Sequence, residues 1–331
     1  MPDPRLDVLC IGNAIVDVIA NASDEFLHEE GLVKGSMRLV DAEEAERLYS
    51  HMGPAHQVSG GSAGNTAAGV AALGGRGAFI GQVAPDQLGD FYRHDLTAAG
   101  VEFITPSADV GSPTARSMIL VTPDGHRTMN TFLGAAQHLP KSALDEEQIR
   151  NSAILYLEGY LWDPETPRYA MVRAIEVARE AGRKVAFTLS DMFCVDRHRD
   201  GFNRLLDERR IDILFANQAE IEALAGVPHL ESAVTAIAPK VETLVVTRSE
   251  DGALATREGE RADVPAEPID ELVDTTGAGD LFASGFLLGT ARGQSLEQSL
   301  RLGAICAAEV IQHYGARPEK DLKALAGELV G

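Results

Sequence analysis

The chain has 331 residues, 45% of them hydrophobic, and 50 acidic against 29 basic side chains give it a formal charge of −21. That is material for one large α/β domain or two small ones. So acidic a surface repels nucleic acid and anionic lipid, and an anionic substrate would have to be met by converging backbone amides instead of a general positive field. No apolar run approaches the roughly 20 residues that span a bilayer, and the opening MPDPRLDVLCIG lacks a basic stretch followed by an apolar signal core. Cys10, Cys194 and Cys306 are far apart and have no CxxC spacing, which argues against a disulfide framework or structural zinc and fits a reducing cytoplasm.

In chain order, Leu6–Ile11 is a short apolar run that ends in Gly12 and reads as a buried strand. Residues 16–20 and 37–40 read as two more strands with a polar excursion between them. The glycine-rich Ser59-Gly60-Gly61-Ser62-Ala63-Gly64-Asn65-Thr66 leads into a helix over 65–73. Further short apolar runs at 78–80, 153–157, 184–189, 213–215 and 243–246 predict buried strands. Alanine-rich segments at 169–180 and 219–225 have helical periodicity. Strands alternating with helices predict a mainly parallel sheet covered on both faces. Ala115–Val121 and Arg127–Phe132 break the alternation, because Asp124-Gly125 between them is a hairpin signal. These two strands and the two near the N-terminus predict a small antiparallel sheet outside the main layer, a lid. It is inserted at about 14–42 and 114–135 in a single domain spanning 1–331. The end, 295–313, is an alanine-rich helix that breaks before Gly315 and Pro318.

The stretch richest in chemistry is Asp274-Thr275-Thr276-Gly277-Ala278-Gly279-Asp280, followed by an apolar helix over 281–291. Three small residues in a row let a ligand approach the backbone and leave unpaired N–H groups at a helix start, where the dipole favours an anion. Asp280 at that mouth would repel a phosphate, but it is suited to take the proton from a hydroxyl that attacks one. A plain helix cap is the alternative reading of the same pattern. There is no GxxxxGK[ST], and the third glycine of a dinucleotide fingerprint is missing. In the second glycine-rich element, Gly60 and Gly61 permit a hinge or a close ligand contact, and Asn65 offers a donor and an acceptor to a sugar hydroxyl. Asn13 and Asp17 follow the first strand, at the edge where open α/β sheets bind ligands. Asp17 lies among Ile15, Val16, Val18 and Ile19, so its carboxylate needs a partner, either structural or a substrate hydroxyl.

Together and in this order, these elements resemble the ribokinase-like (PfkB) family of carbohydrate and nucleoside kinases, from about residue 7 to about residue 318. The two signatures are the glycine region 60–65 running on to Gly74-Gly75, and the DTxGAGD motif at 274–280. Asn217-Gln218-Ala219-Glu220 matches the family's NxxE, and 247–253 matches its nucleotide loop, with Ser249 where a glycine is usual. The resemblance implies a three-layer α/β sandwich with a β lid, and an ATP-dependent kinase in which Asp280 is the base and the amides of Gly277, Ala278 and Gly279 form the anion hole. It further implies that Asn13, Asp17, Gly60, Gly61 and Asn65 hold the substrate. Thr247, Gly252, Asn217, Glu220, Ala304 and His313 would serve ATP, with Glu220 reaching Mg²⁺ through water, and Asp274 and Thr276 would bind a monovalent cation such as K⁺. The opening at 12–17 and the run 127–136 look more like adenosine kinases than ribokinases. Met129, Leu133 and Tyr160 would then wall the base of a nucleoside, although such residues also read as ordinary lid packing. A sugar kinase of the ribokinase or fructokinase type shares every catalytic residue and stays open as the acceptor class. A non-catalytic sensor has no use for the intact Asp280 and NxxE, and the nine histidines offer no hydrolase spacing. The expected partner is a small nucleoside or sugar, with no nucleic acid or membrane, in a monomer or homodimer.

Overall fold

The computed structural model describes residues 4–330. Its thirteen strands are β1 (Leu6–Ile11), β2 (Ile15–Asn21), β3 (Met37–Leu39), β4 (Ala55–Ser59), β5 (Gly77–Ile80), β6 (Ala115–Val121), β7 (Arg127–Phe132), β8 (Ser152–Glu158), β9 (Lys184–Thr188), β10 (Ile213–Asn217), β11 (Thr243–Thr247), β12 (Ala253–Arg257) and β13 (Glu260–Val264). Eight form one sheet in the order β13-β12-β11-β10-β9-β8-β1-β5, parallel from β11 through to β5 and closed at one edge by the antiparallel hairpin β12–β13. Alternation along β1 sends Val8 and Cys10 to one side and Leu9 and Ile11 to the other. The first side packs against helices Ser62–Ala72, Ala278–Ala291 and Leu296–Val310, and the second against Glu165–Glu180, Met192–Asp207 and Gln218–Ala225. No helix among the described residues is long and apolar enough to cross a membrane.

The expected separate sheet is present, in the order β3-β7-β6-β2-β4. It has one strand more than the sequence suggested. Ala55–Ser59 carries no apolar run, and it is held instead by antiparallel pairing to β2. β6–β7 is antiparallel as the hairpin signal required, while β2–β6 and β3–β7 pair in parallel. The register sorts the residues of this sheet by face. Val18, Met118 and Asn130 share a face with Ala20 and Leu120, and there Leu27, Ala45, Leu48 and Phe132 complete a small core under helices Asp24–Glu29 and Ala42–His51. The opposite face carries Asp17, Ile19, Val58, Ile119, Arg127, Met129 and Thr131. Those two helices lie on the other face, and here Asp17 is turned toward Asp280.

β2 and the turn that follows β4 join this lid to the main sheet, and Gly61 in that turn has a steric requirement that Gly279 of the other glycine motif does not share. Gly61 has φ +83, and a Cβ on it would stand 2.0 Å from the Asn13 carbonyl oxygen, whereas a Cβ on Gly279 would meet nothing within 4 Å. Gly61→Ala is therefore expected to cost about 2 kcal/mol or more, and Gly279→Ala to leave stability within about 0.5 kcal/mol. Chemical denaturation of the two variants checks this, and equal midpoints would contradict it.

Candidate active site

Two helix N-termini meet at the crevice. Helices Ser62–Ala72 and Ala278–Ala291 start from glycine caps, Gly61 and Gly277, at φ 83 and 79, and neither has a side-chain cap. Ala63 N donates to Glu158 and Ala278 N to the Thr275 carbonyl at 3.2 Å, and the other first-turn N–H groups, that of Gly279 among them, stay available to a ligand at the positive end of each helix dipole. The open space beside Gly279 makes the mouth of the second helix a cradle that a side chain would fill. The helices pack closely, and a Cβ on Gly69 would stand 2.4 Å from Ser284 Oγ.

Asp280 lies where they meet. Its Oδ1 accepts from Ser62 Oγ at 2.6 Å and its Oδ2 from Asn65 Nδ2 at 2.9 Å, while Thr66 Oγ1 donates to its carbonyl at 3.2 Å. Burial pushes the Asp280 carboxyl above the usual carboxylate range, and the Ser62 and Asn65 hydrogen bonds and the charge of Arg317 oppose that rise. Asn65 Oδ1 is buried and accepts no hydrogen bond among the described residues. It is an acceptor in want of a donor such as a substrate hydroxyl.

Asp17 faces Asp280 from the lid. Burial raises its pKa to about 6, with Arg127 and Arg317 opposing the rise and Asp280 adding to it. The backbone passes under this carboxylate at Gly60, where a Cβ would lie 2.4 Å from Asp17 Oδ2. Glu158, at the end of β8, was not singled out by the sequence. Fully buried, it accepts from the backbone N and the Nδ2 of Asn13, both at 2.7 Å, and from Ala63 N at 2.8 Å. It thus ties the end of β1 to the start of helix Ser62–Ala72, and burial raises its pKa to about 7. Asn13 is committed to this clamp, so it shapes the pocket floor instead of offering its amide freely.

The nucleotide side follows the carboxyl ends of β10 and β11. Asn217 and Glu220 form a reciprocal capping box, with Glu220 accepting from Asn217 N at 2.9 Å and Nδ2 at 2.7 Å. Each Glu220 oxygen keeps a lone pair, and burial raises its pKa to about 7, a setting that a hydrated Mg²⁺ would relieve. Ser249, standing where a glycine was expected, adopts φ 52, so the loop keeps a glycine-like turn. Arg248 N donates to the Gly252 carbonyl at 2.8 Å. Gly252 is required by its φ of 81 and by the Val264 carbonyl, 2.1 Å from where a Cβ would be. Thr247 ends β11 beside this turn. Ala304 is buried in helix Leu296–Val310, and the His313 ring pairs with Glu309 at 3.2 Å, in a clamp that also takes the amides of Glu319 and Lys320.

The expected monovalent-cation pair has other work. Asp274 Oδ1 accepts from Thr276 N at 3.0 Å and Thr276 Oγ1 at 2.7 Å, and its Oδ2 accepts from Gly315 N at 3.0 Å and from the Arg127 guanidinium. All four acceptor positions are taken, one by a cation, so Asp274 and Thr276 do not fit K⁺ as ligands in this arrangement. The pair instead fastens lid strand β7 to the DTxGAGD loop. Arg127 was in the sequence run matched at 127–136, but nothing local pointed to a partner 147 positions away.

Of the proposed base-wall residues, Met129 is half-buried on the open lid face, and half-buried Leu133 begins the turn that leads from β7 into Gly134–His138. Tyr160 packs partly into the main core, with its hydroxyl donating to the Ser190 carbonyl at 3.4 Å.

Asp17 gives a pH test. A carboxyl whose pKa rises from 3.8 to about 6 on folding holds its proton more tightly in the native state. Its contribution to stability is therefore lost as pH rises from about 4 to about 6, and is flat on either side. Asp17→Asn should gain stability relative to the parent across that window, as read from melts at successive pH values. Parallel curves would contradict the assignment.

Comparisons with known proteins bear on the family. The model of the pfkB family of carbohydrate kinases matches residues 5–322. The crystal structure of a probable sugar kinase protein from Rhizobium etli CFN 42 shares 48% identity at TM-score 0.91 and covers 98% of each chain. That of adenosine kinase from Sinorhizobium meliloti shares 49% identity at TM-score 0.90, covering 97% of this chain and 98% of that one. Adenosine kinase of Saccharomyces cerevisiae is 28% identical over 93% of this chain and 95% of its own length. The chain belongs to the pfkB family of carbohydrate kinases, as an ATP-dependent kinase of nucleosides or sugars.

Proposed function

We propose that the acceptor is adenosine or a closely related nucleoside, phosphorylated on its 5′-hydroxyl. The observation that carries this reading is the lid's open face. Half-buried Ile19, Val58 and Met129 lie on it beside the Asp17 carboxylate, with Arg127 and Thr131 on the same face. A free sugar is polar on all sides, whereas a nucleoside presents hydroxyls to Asp17 and a flat, apolar base to the remainder. The full-length likeness to the Sinorhizobium meliloti adenosine kinase supports the same acceptor.

In this reading Asp17 accepts from ribose hydroxyls, and Asn65 Oδ1 gains the donor it lacks. The acceptor hydroxyl sits against Asp280. As its oxygen bonds to the γ-phosphorus, the bond from that phosphorus to the bridging oxygen breaks, the proton passes to Asp280, and ADP leaves. The amides of Gly277 and Gly279 face the charge that builds on the transferred group, joined by that of Ala278 once it exchanges its long bond to the Thr275 carbonyl. Thr247 and Gly252 line the nucleotide, with Ala304 and His313 on the far side, and Glu220 holds the water shell of Mg²⁺, which neutralises phosphate charge when bound. A closed lid excludes water that would otherwise consume ATP.

A coupled ADP-release assay over adenosine, other nucleosides, ribose and fructose tests the choice. Adenosine should have the highest kcat/KM, and Met129→Ala should lower it by roughly tenfold, the worth of one or two buried methylenes. Ribose or fructose turning over better than any nucleoside would assign the chain to the sugar kinases.

A further inference from the structure

The site holds a cation whose work neither motif accounts for. Arg317 follows the last long helix, in Gly315-Ala316-Arg317-Pro318. Its Nη1 donates to the Gly64 carbonyl at 3.0 Å, and its Nη2 donates to Ser59 Oγ at 2.9 Å and to the Ser59 carbonyl. It therefore grips the glycine turn on both sides of Gly60-Gly61. Three further groups of that turn are also bonded. Ser59 N donates to Asp95 at 2.8 Å, the Gly60 carbonyl accepts from Tyr92 at 3.1 Å, and Ala63 N donates to Glu158 at 2.8 Å.

Unlike Arg127, whose charge is spent on Asp274, Arg317 makes no carboxylate contact among the described residues. The acids within its electrostatic reach are Asp17 from β2, Asp280 from its helix mouth and Asp95 from helix Gln87–Ala98, together with the Tyr92 hydroxyl. Two carboxylates that share one cavity resist ionising together. One of them has to be ionised to receive a proton.

We propose that Arg317 is a positioning residue for phosphoryl transfer: it fixes the turn that carries Ser62 and Asn65, and it sets a permanent positive charge beside Asp17 and Asp280. This rests on the kinase reading of the site. A guanidinium suits both tasks. Its planar fork spans two carbonyls, and it does not deprotonate when desolvated, as a lysine would. The other titratable groups facing the two carboxylates are Arg127 toward Asp17, and Glu158, Cys10, Tyr156 and Tyr160 toward Asp280, and none of them is removed by changing Arg317.

The test separates charge from scaffolding. In Arg317→Met, the acidic limb of the kcat/KM profile should move up by about one pH unit or more, as expected on removing a nearby opposite charge. Activity should then recover as pH rises. Arg317→Lys keeps the charge but not the fork, so its limb should stay in place while KM rises. Where the methionine variant does not fold, Arg317→Gln, which keeps a donor to the same carbonyls, takes its place. A second readout needs no turnover: ¹³C-carboxyl titration of the free protein should show the Asp17 and Asp280 midpoints rising in the neutral variant. A neutral, folded variant with an unmoved limb and unmoved midpoints would overturn the proposal, even if its rate fell. Wild-type protein that released no ADP with any acceptor would instead overturn the kinase reading, leaving the carboxyl titration to decide the role of Arg317.

Discussion

The carboxylate of Asp280 is gripped by Ser62 Oγ and Asn65 Nδ2, donors on a helix 218 and 215 positions earlier in the chain. Most of the crevice depends on that grip. It needs the two helices to pack closely, which Gly69 against Ser284 allows, and it needs both to start uncapped at the same place. In the proposed mechanism one helix would then supply the base and the amides for a phosphate, while the other supplies the donors that hold the Asp280 carboxylate. Hydrogen bonds to a charged group are worth roughly 1.5–3 kcal/mol each, so the carboxylate is fixed without being neutralised.

Around this centre the charges are arranged in opposition to the overall balance. A chain with net charge −21 would repel ATP at long range, yet the crevice concentrates helix-start amide N–H groups together with Arg127 and Arg317, whose charges reach Asp17. The Arg127–Asp274 pair joins lid to loop, and Glu158 joins β1 to the glycine helix. The lid is thus tied to the DTxGAGD loop through Arg127, while Glu158 fixes the main-layer elements beside it. In this arrangement the Asp274 carboxylate, expected from the sequence to face a monovalent cation, has a guanidinium for its counter-ion.

Much of this was legible in the sequence because it is local. Asp274–Asp280 is contiguous, so its glycines and acid could be read as a cradle and a base before any contact was known. The buried strands of the main sheet announced themselves as apolar runs, and Asp124-Gly125 announced its hairpin. What escaped was either polar or distant. β4 has the sequence AHQVS and β13 the sequence ERADV; both are edge strands, where charge and polarity are compatible with pairing. Glu158, Arg127 and Arg317 act on partners far along the chain, and an isolated charged residue carries no spacing from which to infer a partner. Ser249 departs from the expected glycine, but the loop compels it into the same left-handed conformation.

The claim that Asp280 is the proton acceptor is tested most directly by Asp280→Asn. The substituted amide can still accept from Ser62, and Asn65 can turn its unpaired Oδ1 toward it, so fold and nucleotide binding should persist. Turnover measured at saturating ATP and acceptor should fall by about 10²–10⁴, while calorimetric ATP affinity stays at the parent value. A folded variant that keeps turnover within a few-fold of the parent would contradict the account.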